Sequence, residues 1–419
     1  MRSMIETDNL LIPLHSRLTL GHWLANCRCL ARQETITLIA YGTDCLLMRK
    51  LLASALLLVT LAGLCGYGFW TLQRPEGHYL SDLRIELALN QGVPGEHGNL
   101  LGIEPLLFPS DYQNLSRLHR KLSAYLEHAR AQGLVNTRTV VVLPEHIGTW
   151  LWARGEKKEL YQVTQRREAW QWLELSNPVR YGLALLGANG DDRRSDAHLR
   201  MKAAQMAADY QHLFGGLARE FGVTLVAGSI VLPAPYVEHG VLHVGSGPLF
   251  NTSLVFASDG SVMGQPQYQQ YPDSETRRYV HGGQQHPLHV LQTPAGRLGV
   301  LVGSDSWYPA NHQQLAAQSV QLIANPAFLS GRQSWQTPWR GNRHQRAAAT
   351  LPLRRGEVSE QIAWQRLTLD ASQGISSMSV FLRGQFWEQA GDGQGFASQA
   401  DTLWAGSANP GARLLNLWL

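Results

Sequence analysis

Arg49 and Lys50 are followed by Leu51 to Gln73, a run without a charged residue. Its length is about what a helix needs to cross a hydrocarbon core of roughly 30 Å. After Arg74 the pattern changes to short alternating and helical stretches. Leu83 to Gln91 alternates as a half-buried strand should. Tyr112 to about Gln132 carries Leu115, Leu118, Leu122 and Leu126 at helical spacing and closes at Gly133. Thr139 to Leu143 reads as a short apolar strand ended by Pro144-Glu145. A second long helix is expected from Ser195 or Asp196 to Phe221, closed by Gly222, with the strand Val223 to Ile230 directly behind it. Leu249 to Phe256 gives a strand that runs into Asp259-Gly260, a hairpin signal. Leu298 to Val302 and Val320 to Ile323 continue the sheet with a helix between them, and a helix over Ser359 to Leu369 and a strand over Ser376 to Leu382 follow. Ser330 to Glu357, rich in Arg, Gln, Trp and Pro, reads as a long loop or surface insertion. Strands alternating with helices predict a layered α/β domain.

Charge and cysteine placement sharpen the organisation. The basic pair ahead of the apolar run stays cytoplasmic under the positive-inside tendency, which puts the chain after Arg74 outside the cytoplasm, in the periplasm if the source is bacterial. Three segments result: an N-terminal extension over 1–47, a transmembrane or signal-anchor helix over 48–73, and a globular domain over 74–419. Met48 opens the anchor in the usual way, so translation is expected to begin there. A cleaved signal peptide and a lipoprotein anchor at Cys65 are the alternatives, and the bulky Leu64 before that cysteine argues against lipidation. All four cysteines (Cys27, Cys29, Cys45, Cys65) lie in the first sixty-five residues, and Lys202 is the last lysine. Beyond the first fifty residues, thirty basic side chains balance twenty-eight acidic ones, which excludes a nucleic-acid surface.

The most informative segment is Leu298 to Pro309, Leu-Gly-Val-Leu-Val-Gly-Ser-Asp-Ser-Trp-Tyr-Pro, an apolar strand entering a sharp turn. With Val-Val-Val-Leu-Pro-Glu at 140–145, Leu-Val-Ala-Gly-Ser at 225–229 and Leu-Phe-Asn-Thr-Ser running to Asp-Gly at 249–260, it resembles the nitrilase or carbon-nitrogen hydrolase superfamily. The resemblance implies an αββα four-layer sandwich, often paired into dimers. It also implies a mechanism in which a Glu acts as general base, a Cys attacks an amide or nitrile carbon, and a Lys stabilises developing charge. Glu145 matches the base. The nucleophile position, counted back two residues from Asp305, is Gly303, and no lysine stands in any register of Gln265 to Glu275.

Ser304 is the nearest hydroxyl, but it lies one residue off register and its high pKa asks for a stronger base arrangement than a lone Glu. Arg277 and Arg278 are expected as surface residues or partners of Asp273 and Glu275. His281, His286 and His289 lack the spacing and carboxylate companions of a zinc site, so no metal and no cofactor is expected. Trp335 and Trp339 fit core packing or an interface better than a ligand groove. If the pocket persists, burial without a cationic neighbour raises the Glu145 pKa.

These readings predict a membrane-anchored, extracytoplasmic, nitrilase-like domain that binds a small molecule or a membrane-associated protein without catalysis. The alternative is an amidase-type carbon-nitrogen hydrolase using Glu145 with Ser304 or an activated water. An acyltransferase resembling the apolipoprotein N-acyltransferases ranks last, since a single spanning segment is predicted and the thiol is missing.

Overall fold

The computed structural model describes residues 23–341 and 352–419 of the chain, which divide into two units after Leu72. In the first unit a single helix, α1 (Trp23–Leu72), contains the apolar run. It begins well upstream of Leu51 because no proline interrupts the chain between Pro13 and Pro75. The stretch Leu47–Leu72 is exposed and long and apolar enough to cross a membrane. Of the expected N-terminal extension, residues 1–22 lie outside the described residues.

The second unit carries helices α2 (Leu115–Ala131), α3 (Lys158–Gln162), α4 (Arg166–Ser176), α5 (Pro178–Leu186), α6 (Arg193–Phe221), α7 (Pro309–Ala316) and α8 (Glu360–Ser372). Side-chain caps set three of their starts. Asn114 accepts the Ser116 N–H, Asp192 that of Ser195 and Ser359 that of Ile362.

Two six-stranded sheets form the middle of this unit. The first runs, in spatial order, Ile85–Gln91, Ala412–Trp418, Asn99–Glu104, Thr139–Val142, Thr224–Val226 and Val255–Phe256. The second runs Leu291–Thr293, Gly296–Val300, Leu322–Ala327, Ser376–Phe381, Phe396–Gln399 and Thr402–Ala405. Alternation along each strand decides what its residues meet. Leu100, Val140, Val142 and Val226 face inward against Leu298, Val300, Leu322, Met378 and Val380 of the other sheet. Their neighbours Leu101, Val141 and Leu225 face outward and pack with Leu118, Leu122 and Leu126 of α2 and Met206 and Leu213 of α6. On the far side Leu315 of α7 covers Leu301 and Ile323, while Trp364 and Leu367 of α8 cover Phe381 and Phe396. Helix, sheet, sheet, helix is the expected αββα layering.

The stretch expected as one strand from Val223 to Ile230 is broken. Thr224–Val226 stays in the first sheet, whereas Ile230–Pro233 leaves it to pair with Leu249–Ser253. Gly228 makes the break, with φ +66, and a Cβ there would meet the Pro144 carbonyl oxygen at 2.0 Å. Gly228→Ala combines left-handed strain with a backbone clash, so it should cost about 3–5 kcal/mol. Thermal melting against the parent protein checks this, and an unchanged midpoint would show that the loop beneath Glu145 can yield.

Trp335 and Trp339, expected to pack in the core or at an interface, are buried against Trp307, Trp364 and Phe381, although the segment around them reads as a loop or surface insertion. They enter the core from irregular chain around the short turn Ser334–Gln336, so no periodicity announces them. Residues 342–351 of that same segment lie outside the described residues. Helices α3, α4 and α5 also fill a stretch between Glu145 and Ser195 for which the sequence predicts nothing.

Candidate functional site

Four strands and the segments that follow them build the surroundings of Glu145. The strand Thr139–Val142 delivers Glu145 through Leu143-Pro144, and the carboxyl is buried. Gly296–Val300 leads into a 3-10 turn over Gly303–Trp307 that opens with Gly303. Asn251 comes from Leu249–Ser253, and Gln269 directly follows Gln267–Tyr268. Gly303 has φ +60, and a Cβ built on it would lie 2.9 and 3.0 Å from the Glu145 carboxyl oxygens and 2.6 Å from Gln269 Nε2. The turn therefore aims the side-chain direction of residue 303 at Glu145.

Amides take the place of charge in this cluster. Asn251 Nδ2 donates to Glu145 Oε1 at 2.9 Å and to Gln269 Oε1 at 3.1 Å, and Gln269 Nε2 donates to Glu145 Oε1 at 3.0 Å. Asp305 holds the arrangement together. Its carboxyl accepts the N–H groups of Gln270 at 2.6 Å and Tyr271 at 2.8 Å, which fixes the segment carrying Gln269 against the turn carrying Gly303. The turn is secured from behind as well, where Asn325 Nδ2 donates to the Gly303 carbonyl at 2.9 Å.

Burial governs the protonation states. It pushes the Glu145 carboxyl well above the usual carboxylate range, and the negative charges of Asp273 and Asp305 add to the rise against hydrogen bonds from Asn251 and the Phe328 backbone. Asp305 rises to about 8 for the same first reason, opposed by its two backbone donors. Burial drives His146 the other way, down to about 4. That imidazole lies 3.8 Å from Glu145 Oε1 and is neutral at ordinary pH, so the two do not form an ion pair. His146 holds a left-handed φ of 62°, with its N–H donated to Ser229 Oγ at 2.8 Å and its Nδ1 3.1 Å from Thr149 Oγ1. Burial thus favours the carboxylic-acid form of Glu145, which can donate its proton in a hydrogen bond.

The cluster forms part of the wall of a cavity of about 470 Å³. Aromatic side chains, among them Trp150, Trp152, Trp307 and Phe328, give it apolar walls, while Arg166, Arg278 and Arg340 are offset by Asp273, Glu275 and Glu360. This mixture of apolar surface and a few directed polar groups is the usual build of a small-molecule site. Ser304 also contributes to the wall, and its hydroxyl donates to the Tyr271 carbonyl at 3.3 Å. Arg277 is exposed, and Arg278 reaches the cavity rim. Among the described residues no three His, Cys, Asp or Glu side chains are gathered closely enough to hold a metal ion. His286 stacks on Tyr268 at 3.9 Å, a packing role.

Asn251, Gln269 and His146 were not foreseen as site residues. Asn251 sits inside a strand motif, and Gln269 lies one residue beyond the count from Gly260. His146 directly follows Glu145, and that adjacency was the available signal.

Residues 109–350, more than half of the chain, match the carbon-nitrogen hydrolase family. Similar solved structures include a cysteine-to-serine variant of the Nesterenkonia AN1 amidase from the nitrilase superfamily, 16% identical over 78% of this chain and 93% of that one, with a TM-score of 0.47. A glutamate-to-glutamine variant of the amidase from Nesterenkonia sp. AN1, carrying the product of Michael addition of acrylamide at its active-site cysteine, is 15% identical over 77% and 93%, with a TM-score of 0.46. The crystal structure of an amidase from Nesterenkonia sp. is 16% identical over 78% and 92%, with a TM-score of 0.44.

Proposed function

Because the chain belongs to the carbon-nitrogen hydrolase family, we propose that it keeps the family's pocket without its reaction, as a membrane-anchored, extracytoplasmic domain that binds a small carbonyl or amide ligand. Gly303 carries the reading: at the point where a side chain would meet Glu145 there is only backbone, and the amide of Gln269 closes the space. A nucleophilic step therefore lacks an attacking atom at that position. Without a cationic neighbour to offset burial, Glu145 is biased towards its protonated form, which weakens it as a general base. The same protonated carboxyl, beside two amides, suits a ligand carbonyl that needs a donor. Use of Ser304 would require an ionised Glu145, which burial opposes. The anchor is supported by Leu47–Leu72, and the outward side by Arg49 and Lys50 ahead of most of that stretch.

The test uses the detergent-solubilised full chain with acetamide and benzamide. No ammonia is expected from either. Benzamide should change the fluorescence of the cavity tryptophans, with binding weakened up to about tenfold by Glu145→Leu, the equivalent of one lost hydrogen bond. Ammonia release abolished by Glu145→Gln would overturn the proposal.

A further inference from the structure

Helix α5 has two apolar sides. Its inner side packs on α6, where Tyr181 stacks on His198 at 5.0 Å. Its outer side presents Val179, Leu183 and Leu186, spaced by four and three residues and therefore on one face, at 73%, 65% and 82% exposure. From Leu175 to Ala188 there is no acidic residue, and the single charge is Arg180, which is exposed. An exposed aliphatic face of this kind marks a contact surface.

What covers it is indicated by the chain that follows α1. The Gln73 carbonyl, one residue past the end of α1, accepts Lys157 Nζ at 2.9 Å. Arg74 donates to the Ser176 carbonyl at 3.2 Å and lies 3.7 Å from the buried Glu156 carboxylate. Asn177, the residue that opens α5, donates to that same carboxylate at 3.1 Å. One buried acid thus ties the first residues after the apolar helix to the start of α5. Lys202 secures it at 2.7 Å, and Ser176 Oγ donates to it at 3.2 Å.

We infer that α5 lies in the headgroup region of the bilayer that α1 spans, with Val179, Leu183 and Leu186 in the acyl boundary and Arg180 among anionic headgroups. This rests on the anchoring proposed above. It holds the domain at the lipid surface through two contacts rather than a single flexible tether. Helix α4, which contributes Arg166 and Trp170 to the cavity wall, is then kept beside the membrane.

The test places an environment-sensitive NBD probe on Leu183→Cys, or on Val93→Cys as an exposed aliphatic control elsewhere, in the full chain with Cys27, Cys29, Cys45 and Cys65 replaced by serine. Both proteins are reconstituted in phosphatidylcholine and phosphatidylglycerol vesicles. The Leu183 site is exposed, so the substitution leaves folding intact, which circular dichroism verifies. Doxyl-labelled lipid is expected to cut the Leu183 emission roughly twofold while leaving the control nearly unchanged, and iodide should do the reverse. Equal iodide quenching at the two sites in chains that resist carbonate extraction would overturn the inference while leaving the anchor standing. Chains removed by carbonate would overturn both. Protection from iodide without quenching by doxyl lipid, together with a disulfide-linked dimer through the unlabelled Leu183→Cys variant, would overturn the lipid contact in favour of a second copy.

Discussion

Gly303→Cys combined with Gln269→Lys is expected to produce a reactive thiol and measurable ammonia release from small amides, while each change alone leaves the protein silent. The single Gly303→Cys variant carries about 1–2 kcal/mol of left-handed strain and pushes its Cβ against Gln269 Nε2, the mobile end of that side chain. It fits once the amide swings aside and the Glu145 carboxyl gives by a few tenths of an ångström. Its thiol then faces a neutral acid in a buried site, where desolvation raises the thiol pKa and keeps it unreactive. Gln269→Lys alone adds an ammonium beside Glu145 but no attacking atom. Together the changes place a cation beside both groups, which favours ionised Glu145 and thiolate at once. Iodoacetamide labelling at neutral pH should be at least roughly a hundredfold faster in the double variant than in Gly303→Cys, in line with the weight of such electrostatic partners. Equal labelling in the two would show that Gln269 is not what silences the site.

How much of this was legible depended on whether a residue's role was set by its own segment. The register of Gly303 could be counted because Asp305 and the apolar strand before it lie in one short motif, and the turn there does aim residue 303 at Glu145. Gln269 is different. The count from the Gly260 hairpin arrives at Tyr268, but alternate residues of an extended segment point to opposite sides. Tyr268 stacks on His286, and its neighbour reaches Glu145. Asn251 was hidden for a related reason, since a polar residue inside a strand gives no sign of which buried group it will meet until the strand is packed.

The layers themselves were easier to read because the residues that build them repeat. Leu118, Leu122 and Leu126 face the core at helical spacing, and the period survives in the fold. Helices α4 and α5 were missed because Asn177-Pro178 cuts them into short pieces, and α5 buries no large side chain fully. Trp335 and Trp339 are the opposite case, where residue type suggests packing but no repeat says against what. They are fully core residues on chain with no regular repeat, fixed by the ring cluster of Trp307, Trp364 and Phe381.

Glu145→Gln is expected to raise the melting temperature of the protein at pH 8 and to leave it nearly unchanged at pH 5. In the unfolded chain Glu145 ionises near its ordinary value of 4.5, whereas in the fold burial keeps it protonated far above that. A carboxyl raised by folding contributes stability that is fully present below the unfolded value and is lost as pH climbs through the folded one. Across that window the loss is about 1.4 kcal/mol per pH unit for one proton, and roughly 2–4 °C of melting temperature follows each kcal/mol. Glutamine has the shape of the neutral acid and no proton to lose, so the variant escapes the slope. His146 acts with the opposite sign. Lowered to about 4, it takes stability away as pH falls from 6.5 towards 4, and it continues to do so in the variant. Asp305 also rises, to about 8, yet Asp305→Asn should destabilise at both pH values. An asparagine there offers one acceptor oxygen where two backbone N–H groups converge, and it turns an NH2 against the other. Circular dichroism melts of the full chain in detergent at the two pH values separate the cases. A Glu145→Gln variant that melts lower at pH 8 than the parent would mean that the carboxyl is ionised in the fold, and the donor role assigned to it would fall with that result.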